Sequence, residues 1–406
     1  MKLMTGKLFW NTGVSVPCYP PLGSDMICDV LVVGSGEAGA HIAYSLAKIG
    51  MSVMLIEKRE IACGSTFANV GVLQFLHDKS LTSLIHTFGE EKGVRAYKLC
   101  YEALRTMEKV VPTLDIDPYF IPRSSLYYAS KSEDVSFLQE EYNTLQNYGF
   151  PVEYFTESDI KKRYPFIKQA ALYTHGDAEV NPYLLAHSLL HKANQMGANI
   201  YEHTEAIHIK KRKNDLICYT KIGNQIVAKN IIMATGYEAL FGKKERKKER
   251  KKERKNTTVD TSYAIVTNEI DQFEGWHERS LIWETARPYL YFRTYRSRII
   301  VGGLDEALQI QTIGDTKLLH KRDILINIVK EMFPQYKNIQ ADYYWAAAFG
   351  GTHDGLPILK EDEKIHNLFY ALPYGGNGTV YGMVFAKLFE QLFTNKESKD
   401  FSLFNR

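Results

Sequence analysis

The stretch Cys28 to Lys58, CDVLVVGSGEAGAHIAYSLAKIGMSVMLIEK, constrains the fold more than any other, because it reads as strand, glycine turn, helix and second strand. Asp29 to Val33 is a short valine-rich run, as in a strand buried on both faces of a parallel sheet. Gly34-Ser35-Gly36-Glu37-Ala38-Gly39 follows. Gly34 permits a tight turn, Gly36 lets the backbone approach a ligand, and Gly39 lets the next helix pack close to the strand. The spacing predicts a helix from about Ala38 to Ile49, ended by Gly50, then a strand over Val53 to Ile56 closed by Glu57.

A helix start behind such a turn offers free N–H groups and the positive dipole end to a phosphate. An acidic residue closing the second strand accepts hydrogen bonds from ribose hydroxyls and repels a 2′-phosphate. The unit therefore predicts Rossmann-like dinucleotide binding, with FAD and NAD both open on these residues. Where an NAD-type unit returns to helix and sheet, Ile61 to Leu73 is instead a loop of small residues. Ser65, Thr66 and Asn69 in it offer hydrogen bonds, and it can run beside a long cofactor.

The rest of the chain is ordinary in composition, 45% hydrophobic and 24% charged, with length for two domains. No apolar run has the length of a membrane span, and MKLMTGKLFWNTG lacks the apolar core of a signal peptide, so a cytoplasmic protein is expected. Five scattered cysteines suggest reduced thiols, with neither a disulfide framework nor a metal site. His187 and His191 share a helix face but lack a third ligand. The net charge of +3 conceals KKERKKERKKERK at Lys243 to Lys255, which leaves the remainder net acidic. That repeat (segment 243–257) has no apolar member, so it reads as a solvated loop or frayed helix, with an anionic partner as the alternative and nucleic acid not expected.

Residues 1–25, with three prolines, read as an extended lead-in. Residues 80–112 and 134–148 are helical by apolar spacing, and Asn181-Pro182 opens a helix to about Met196 with an asparagine cap and proline at its first position. Asn199 to Glu202 reads as a third parallel strand. A meander (Ile207 to Lys211, Leu216 to Ile222, Gln225 to Ala228) leads to a buried strand, Lys229 to Met233, running into Ala234-Thr235-Gly236-Tyr237. Residues 262–304 look antiparallel, and the alternation of Tyr289 to Tyr295 puts Tyr289, Tyr291, Arg293 and Tyr295 on one face, either exposed or turned to a site. Leu318 to Met332 reads as a helix and Asp342 to Phe349 as a strand. Gly375-Gly376-Asn377-Gly378-Thr379 leads into an apolar helix, Tyr381 to Phe393.

Taken in order, VVGSGEAG, GSTFANVG, IIMATGYEA, YLYFR…IIVGG, THDGLP and YGGNG resemble the D-amino-acid oxidase family of FAD-dependent oxidoreductases. That family holds glycine and sarcosine oxidases, D-amino-acid dehydrogenases and γ-glutamylputrescine oxidase. The resemblance runs from about Ile27 to Phe393. It implies an α/β chain, α+β overall, with a Rossmann-like FAD-binding domain (26–83, 169–242 and 336–406) and an antiparallel-sheet substrate domain (84–168 and 258–335). By the resemblance Gly34, Gly36, Glu37, Ala38 and Gly39 would hold the pyrophosphate, and Glu57 with Lys58 the adenosine. Ser65, Thr66, Asn69, Gly71 and Val72 would line the ribityl chain and ring. Ala206 would meet the adenine, and Ala234, Thr235 and Gly236 would close that side. Gly375, Gly376, Asn377, Gly378 and Thr379 would donate N–H groups to the pyrimidine end of the flavin.

The implied activity is oxidation of a C–N bond of an amine or amino acid by hydride transfer to flavin N5, followed by hydrolysis of the imine, with O2 or another acceptor taking the electrons. Tyr291, Arg293 and His353 are the expected substrate contacts. Two departures stand out. Phe349-Gly350 replaces the family's usual Arg-Pro pair, which leaves Arg293 or Arg287 to clamp any carboxylate, and His353 replaces a proline. With no cysteine in the closing third, non-covalent FAD is expected. The alternatives are a flavin dehydrogenase of a hydroxy acid or polyol phosphate, and a non-catalytic FAD-binding protein. The cleft arginines suggest an acidic substrate.

Overall fold

The computed structural model describes residues 3–11, 13–237, 257–308, 313–372, 375–394 and 399–405; the Lys243 to Lys255 repeat and Tyr374 lie outside them. Two sheets organise the described chain. In the first, Met26–Val33 lies between Val53–Ile56 and Gln225–Met233, with Asn199–Tyr201 beyond one and Leu368–Leu372 beyond the other, all parallel. An antiparallel edge strand, Ile358–Glu361, completes that row, and Asp215–Thr220 and Ala206–Arg212 fold back as a meander. Val30 to Val32 and Met54 to Ile56 are fully shielded from solvent, as parallel strands covered on both faces must be. Helix Glu37–Lys48 packs between helices Pro182–Gln195 and Gly378–Phe393. The Asn181 side chain caps the former by accepting from the Leu184 N–H at 3.0 Å.

The second sheet has ten strands. Tyr291–Tyr295 sits within it between Leu281–Glu284 and Arg298–Ala307, and Thr257–Thr267 pairs with both Arg298–Ala307 and Ala341–Thr352. Every pairing in this sheet is antiparallel except that of Leu281–Glu284 with Ile121–Tyr128. Ala170–Glu179 and Ala341–Thr352, expected in the cofactor half, pair into this sheet instead. The single helix expected near 80–112 is two, Leu81–Phe88 and Glu90–Val110, broken at Gly89 with φ 85°.

The lead-in is also part of the fold. Met4–Lys7 adds an edge strand to Ala341–Thr352, and Trp10 is buried with its Nε1–H donating to the Asn69 carbonyl at 2.7 Å. Prolines disguise this in the sequence, because pairing to a strand more than three hundred residues away leaves no local periodicity.

Candidate active site

A cavity of about 1900 Å³ runs along the carboxyl edge of the parallel sheet to the face of the second sheet. Its first stretch is the glycine turn. Gly34 has φ 108°, and a Cβ there would lie 2.5 Å from the Ala234 carbonyl oxygen; a Cβ on Gly39 would lie 1.9 Å from the Gly34 oxygen. Glycine is therefore required at both positions, and Gly39 acts through this helix-to-turn contact, since it does not line the cavity. Helix Glu37–Lys48 starts at the wall with Gly36 as its N-cap, a residue with no side chain to cap it, and its Glu37 N–H is taken by the Thr66 hydroxyl.

Glu57 stands at the end of the second strand as expected. Its Oε2 accepts from the Ser35 N–H at 3.0 Å and the Ser35 hydroxyl at 2.9 Å, and its Oε1 accepts from the Arg59 N–H at 3.0 Å. Oε2 is thereby saturated, and Oε1 retains a lone pair for a ribose hydroxyl. Lys58, Ala206, Ala234, Thr235 and Gly236 share this end of the wall.

The loop expected beside the cofactor is held from outside. The Ala68 carbonyl accepts from Trp345 Nε1 at 3.0 Å and the Asn69 carbonyl from Trp10. Arg293 Nη1 donates to the carbonyls of Val70 at 2.8 Å, Gly71 at 2.6 Å and Val180 at 2.7 Å. Ser65, Thr66, Asn69 and Val72 are left on the cavity wall, while Gly71 lies behind it. Thr66 Oγ1 accepts from the Glu37 N–H at 3.1 Å.

Helix Gly378–Phe393 begins at the same cavity, and Gly375, Gly376, Asn377, Gly378 and Thr379 all line it. Their backbone donors differ from expectation. The Gly375 N–H donates to the Gly350 carbonyl, Gly376 to Asp78 Oδ2 at 2.7 Å, and Gly378 to the Gly375 carbonyl. The Asn377 side chain is buried, and its Nδ2 has no partner.

The expected substrate contacts separate. Tyr291 lines the cavity. Arg293 does share its strand face, but it is completely buried beneath residues 70–71 and its Nε lies 3.6 Å from Glu179 Oε2, so it cannot clamp a substrate carboxylate. Alternation along a strand gives the face of a side chain and not its depth. His353 is exposed in the Thr352 to Gly355 turn, off the cavity wall, and Arg287 donates to the carbonyls of Glu284, Thr285, Ala286 and Asp78.

Sequence reasoning missed most of what surrounds Tyr291. Asp78 Oδ1 accepts from the Tyr289 hydroxyl at 2.8 Å, and the Tyr289 ring lies 5.9 Å from that of Tyr291 and 6.0 Å from that of Trp283. Ser262 and Asp305 join them on the wall. Burial, helped by Asp260 and Asp78 and opposed by a hydrogen bond to Ser262 and by Lys321, pushes the Asp305 carboxyl up to about 6, and its Oδ1 has no partner. Gln74 Nε2 and Trp283 Nε1 are likewise buried wall donors without partners. The lysines and arginines on the described wall, Lys58, Arg59, Lys221 and Lys360, all belong to the parallel-sheet end. Asp78 follows an apolar run and Asp305 lies near the end of strand Arg298–Ala307, positions with no motif to mark them.

These features fit a long dinucleotide: two helix starts whose N-cap residues make no side-chain cap, a glycine cradle that a Cβ would fill, an acidic ribose acceptor, and buried Glu37 Oε1 and Asn377 Nδ2 without partners on the wall. Together the fold and site define a flavin-dinucleotide oxidoreductase. The chain belongs to the FAD dependent oxidoreductase family, whose model matches residues 29–392, and is an FAD-dependent enzyme. It is similar to the glycine oxidase of Geobacillus kaustophilus (strain HTA426), 25% identical over 396 residues that cover 92% of this chain and 96% of that one. A Bacillus subtilis (strain 168) protein named for a Rieske 2Fe-2S centre, YhfW, is 27% identical over 231 residues, 57% of this chain; the match spans only 44% of that relative's length. Among solved structures, L-proline dehydrogenase from P. horikoshii shares the fold with TM-score 0.76 and 19% identity, covering 93% of this chain and 96% of that one. None of the five free cysteines lines the cavity. Among the described residues there is no group of three or more metal-ligating side chains, and no helix is long and apolar enough to cross a membrane.

Proposed function

We propose that this enzyme oxidises the carbon–nitrogen bond of an amine or amino acid, the imine then hydrolysing in water to a carbonyl compound, with O2 or another acceptor taking the electrons. When bound, FAD supplies at its N5 the two-electron acceptor this oxidation needs, held non-covalently. The observation that carries the reading is the wall around Tyr291. Asp78 and Asp305 give that end a negative field among aromatic faces, and the described cations nearest them, Lys321 and Arg287, do not line the cavity. Such a surface recruits an ammonium group and repels a hydroxy acid or polyol phosphate. Of the arginines that suggested an acidic substrate, Arg293 is held beneath residues 70–71 and Arg287 donates to backbone carbonyls, Asp78's included, and neither lines the cavity.

The chain's residues then have three tasks. Tyr289, Tyr291 and Trp283 sandwich and orient the substrate. Leu76, Phe349 and Trp283 make that end apolar and exclude water. Asp305 Oδ1, buried and raised in pKa, accepts the proton an ammonium must lose before its C–H bond can be oxidised. The similarity to proteins named glycine oxidase and L-proline dehydrogenase supports substrates that carry an amine.

Product analysis tests this. Incubated with O2 or an artificial acceptor, the enzyme is expected to convert an amine or amino acid to a carbonyl compound and release the nitrogen in equal amount. Turnover of hydroxy acids or polyol phosphates alone would overturn the reading.

A further inference from the structure

Glu37 is the first residue of the helix whose start faces the dinucleotide, an unexpected place for an acid, because a carboxylate there would oppose a diphosphate. It is 8% exposed and lines the cavity. Its two oxygens are treated unequally. Oε2 accepts from Asn69 Nδ2 at 2.8 Å and from the Thr379 hydroxyl at 3.0 Å, joining the 65–73 loop to both helix starts, while Oε1 is buried without a partner. This is the pattern of a carboxylic acid whose carbonyl oxygen takes two hydrogen bonds and whose hydroxyl has a proton to give.

We infer that Glu37 holds the cofactor as a neutral acid, its Oε1 hydroxyl donating to a diphosphate oxygen. Burial raises the carboxyl to about 7, against which Thr379 and Asn69 work only in part. The groups that face it carry no charge at neutral pH. His41 on its own helix is held neutral by burial, its pKa lowered to about 3, and Tyr237, beyond strand Gln225–Met233, is pushed up to about 12. Thr66 and Asn69 from the loop and Thr379 from the second helix are neutral. A bound diphosphate raises the Glu37 carboxyl further, so FAD binding takes up a proton wherever the free protein has lost it.

The test is the pH dependence of cofactor affinity in apoprotein stripped of FAD. The wild-type Kd for FAD, followed by flavin fluorescence, is expected to be flat below pH 7 and to weaken by about tenfold per pH unit above it, until the carboxyl of the bound state ionises. Calorimetry at pH 8 in two buffers of different ionisation enthalpy should show close to one proton taken up per FAD. Glu37→Gln, which keeps an acceptor for Asn69 and Thr379 and a donor toward the cavity, should bind FAD within about threefold of wild type at pH 6, without pH dependence or proton uptake. ADP-ribose, which has the diphosphate but neither ribityl chain nor flavin, should show the same pH dependence in wild type. A flat wild-type profile without proton uptake, or a pH effect absent with ADP-ribose, overturns the proposal even if Glu37→Gln fails to fold. A Glu37→Gln protein that folds but retains the pH dependence overturns it as well.

Discussion

Replacing Arg293 by methionine separates two roles for a buried arginine. If Arg293 is the staple the geometry shows, Arg293→Met leaves the carbonyls of Val70 and Val180 without their guanidinium donor, while Gly71 O keeps the Val180 N–H at 3.0 Å. A buried acceptor left unsatisfied costs about 1–3 kcal/mol, so two cost about 2–6 kcal/mol. Glu179 retains Arg123 at 2.9 Å, which holds the loss below that of an abandoned buried charge, and methionine fills most of the volume. The expected loss is therefore about 2–6 kcal/mol, read as a lowered denaturant midpoint of the apoprotein. Because the same carbonyls fix the 65–73 loop, FAD should dissociate at least about tenfold more readily, as flavin fluorescence would report. The refuting result is a variant of wild-type stability and FAD affinity whose KM for carboxylate-bearing substrates alone rises by about a hundredfold, which would make Arg293 a substrate clamp.

Three further perturbations have defined outcomes. Gly39→Ala puts a methyl group 1.9 Å from the Gly34 carbonyl oxygen and should be purified largely without FAD, as its visible spectrum would show. Trp10→Ala removes a buried indole and the donor to the Asn69 carbonyl; unfolding should cost about 3–5 kcal/mol less, against little effect if residues 1–25 were only a lead-in. Asp305→Asn removes the base. Since Asp305 must be ionised to take a proton and is raised to about 6, wild-type kcat/KM should fall as pH drops through 6, whereas the variant should be about a hundredfold slower at pH 8 and lack that limb.

The sequence was most legible where the constraint is local. The turn from Gly34 to Gly39, the Glu57 acid and the Asn181 cap are fixed by neighbours a few residues away, and each stands where residue chemistry requires. Arg293 was placed on the correct strand face, but its depth depends on residues 70–71 and 180, which fold over it from the other sheet. Trp10 was hidden for the same reason. The acidic and aromatic wall was least legible: Asp78, Trp283 and Asp305 come from three segments and none is part of a spaced pattern, while the alternation that includes Tyr289 gave its face but not its neighbours. His353 shows the converse, a position marked by a motif whose side chain lies outside the cavity.

The most direct test is anaerobic visible absorption of the FAD-bound enzyme while amines, D- and L-amino acids, N-methyl amino acids, hydroxy acids and polyol phosphates are added one at a time. An amine or amino acid should bleach the oxidised flavin band, and hydroxy acids and polyol phosphates should leave it unchanged. Bleaching by a hydroxy acid or phosphate ester with no response to any amine would contradict the substrate side of the account, and a flavin that no compound reduces would contradict amine oxidation itself.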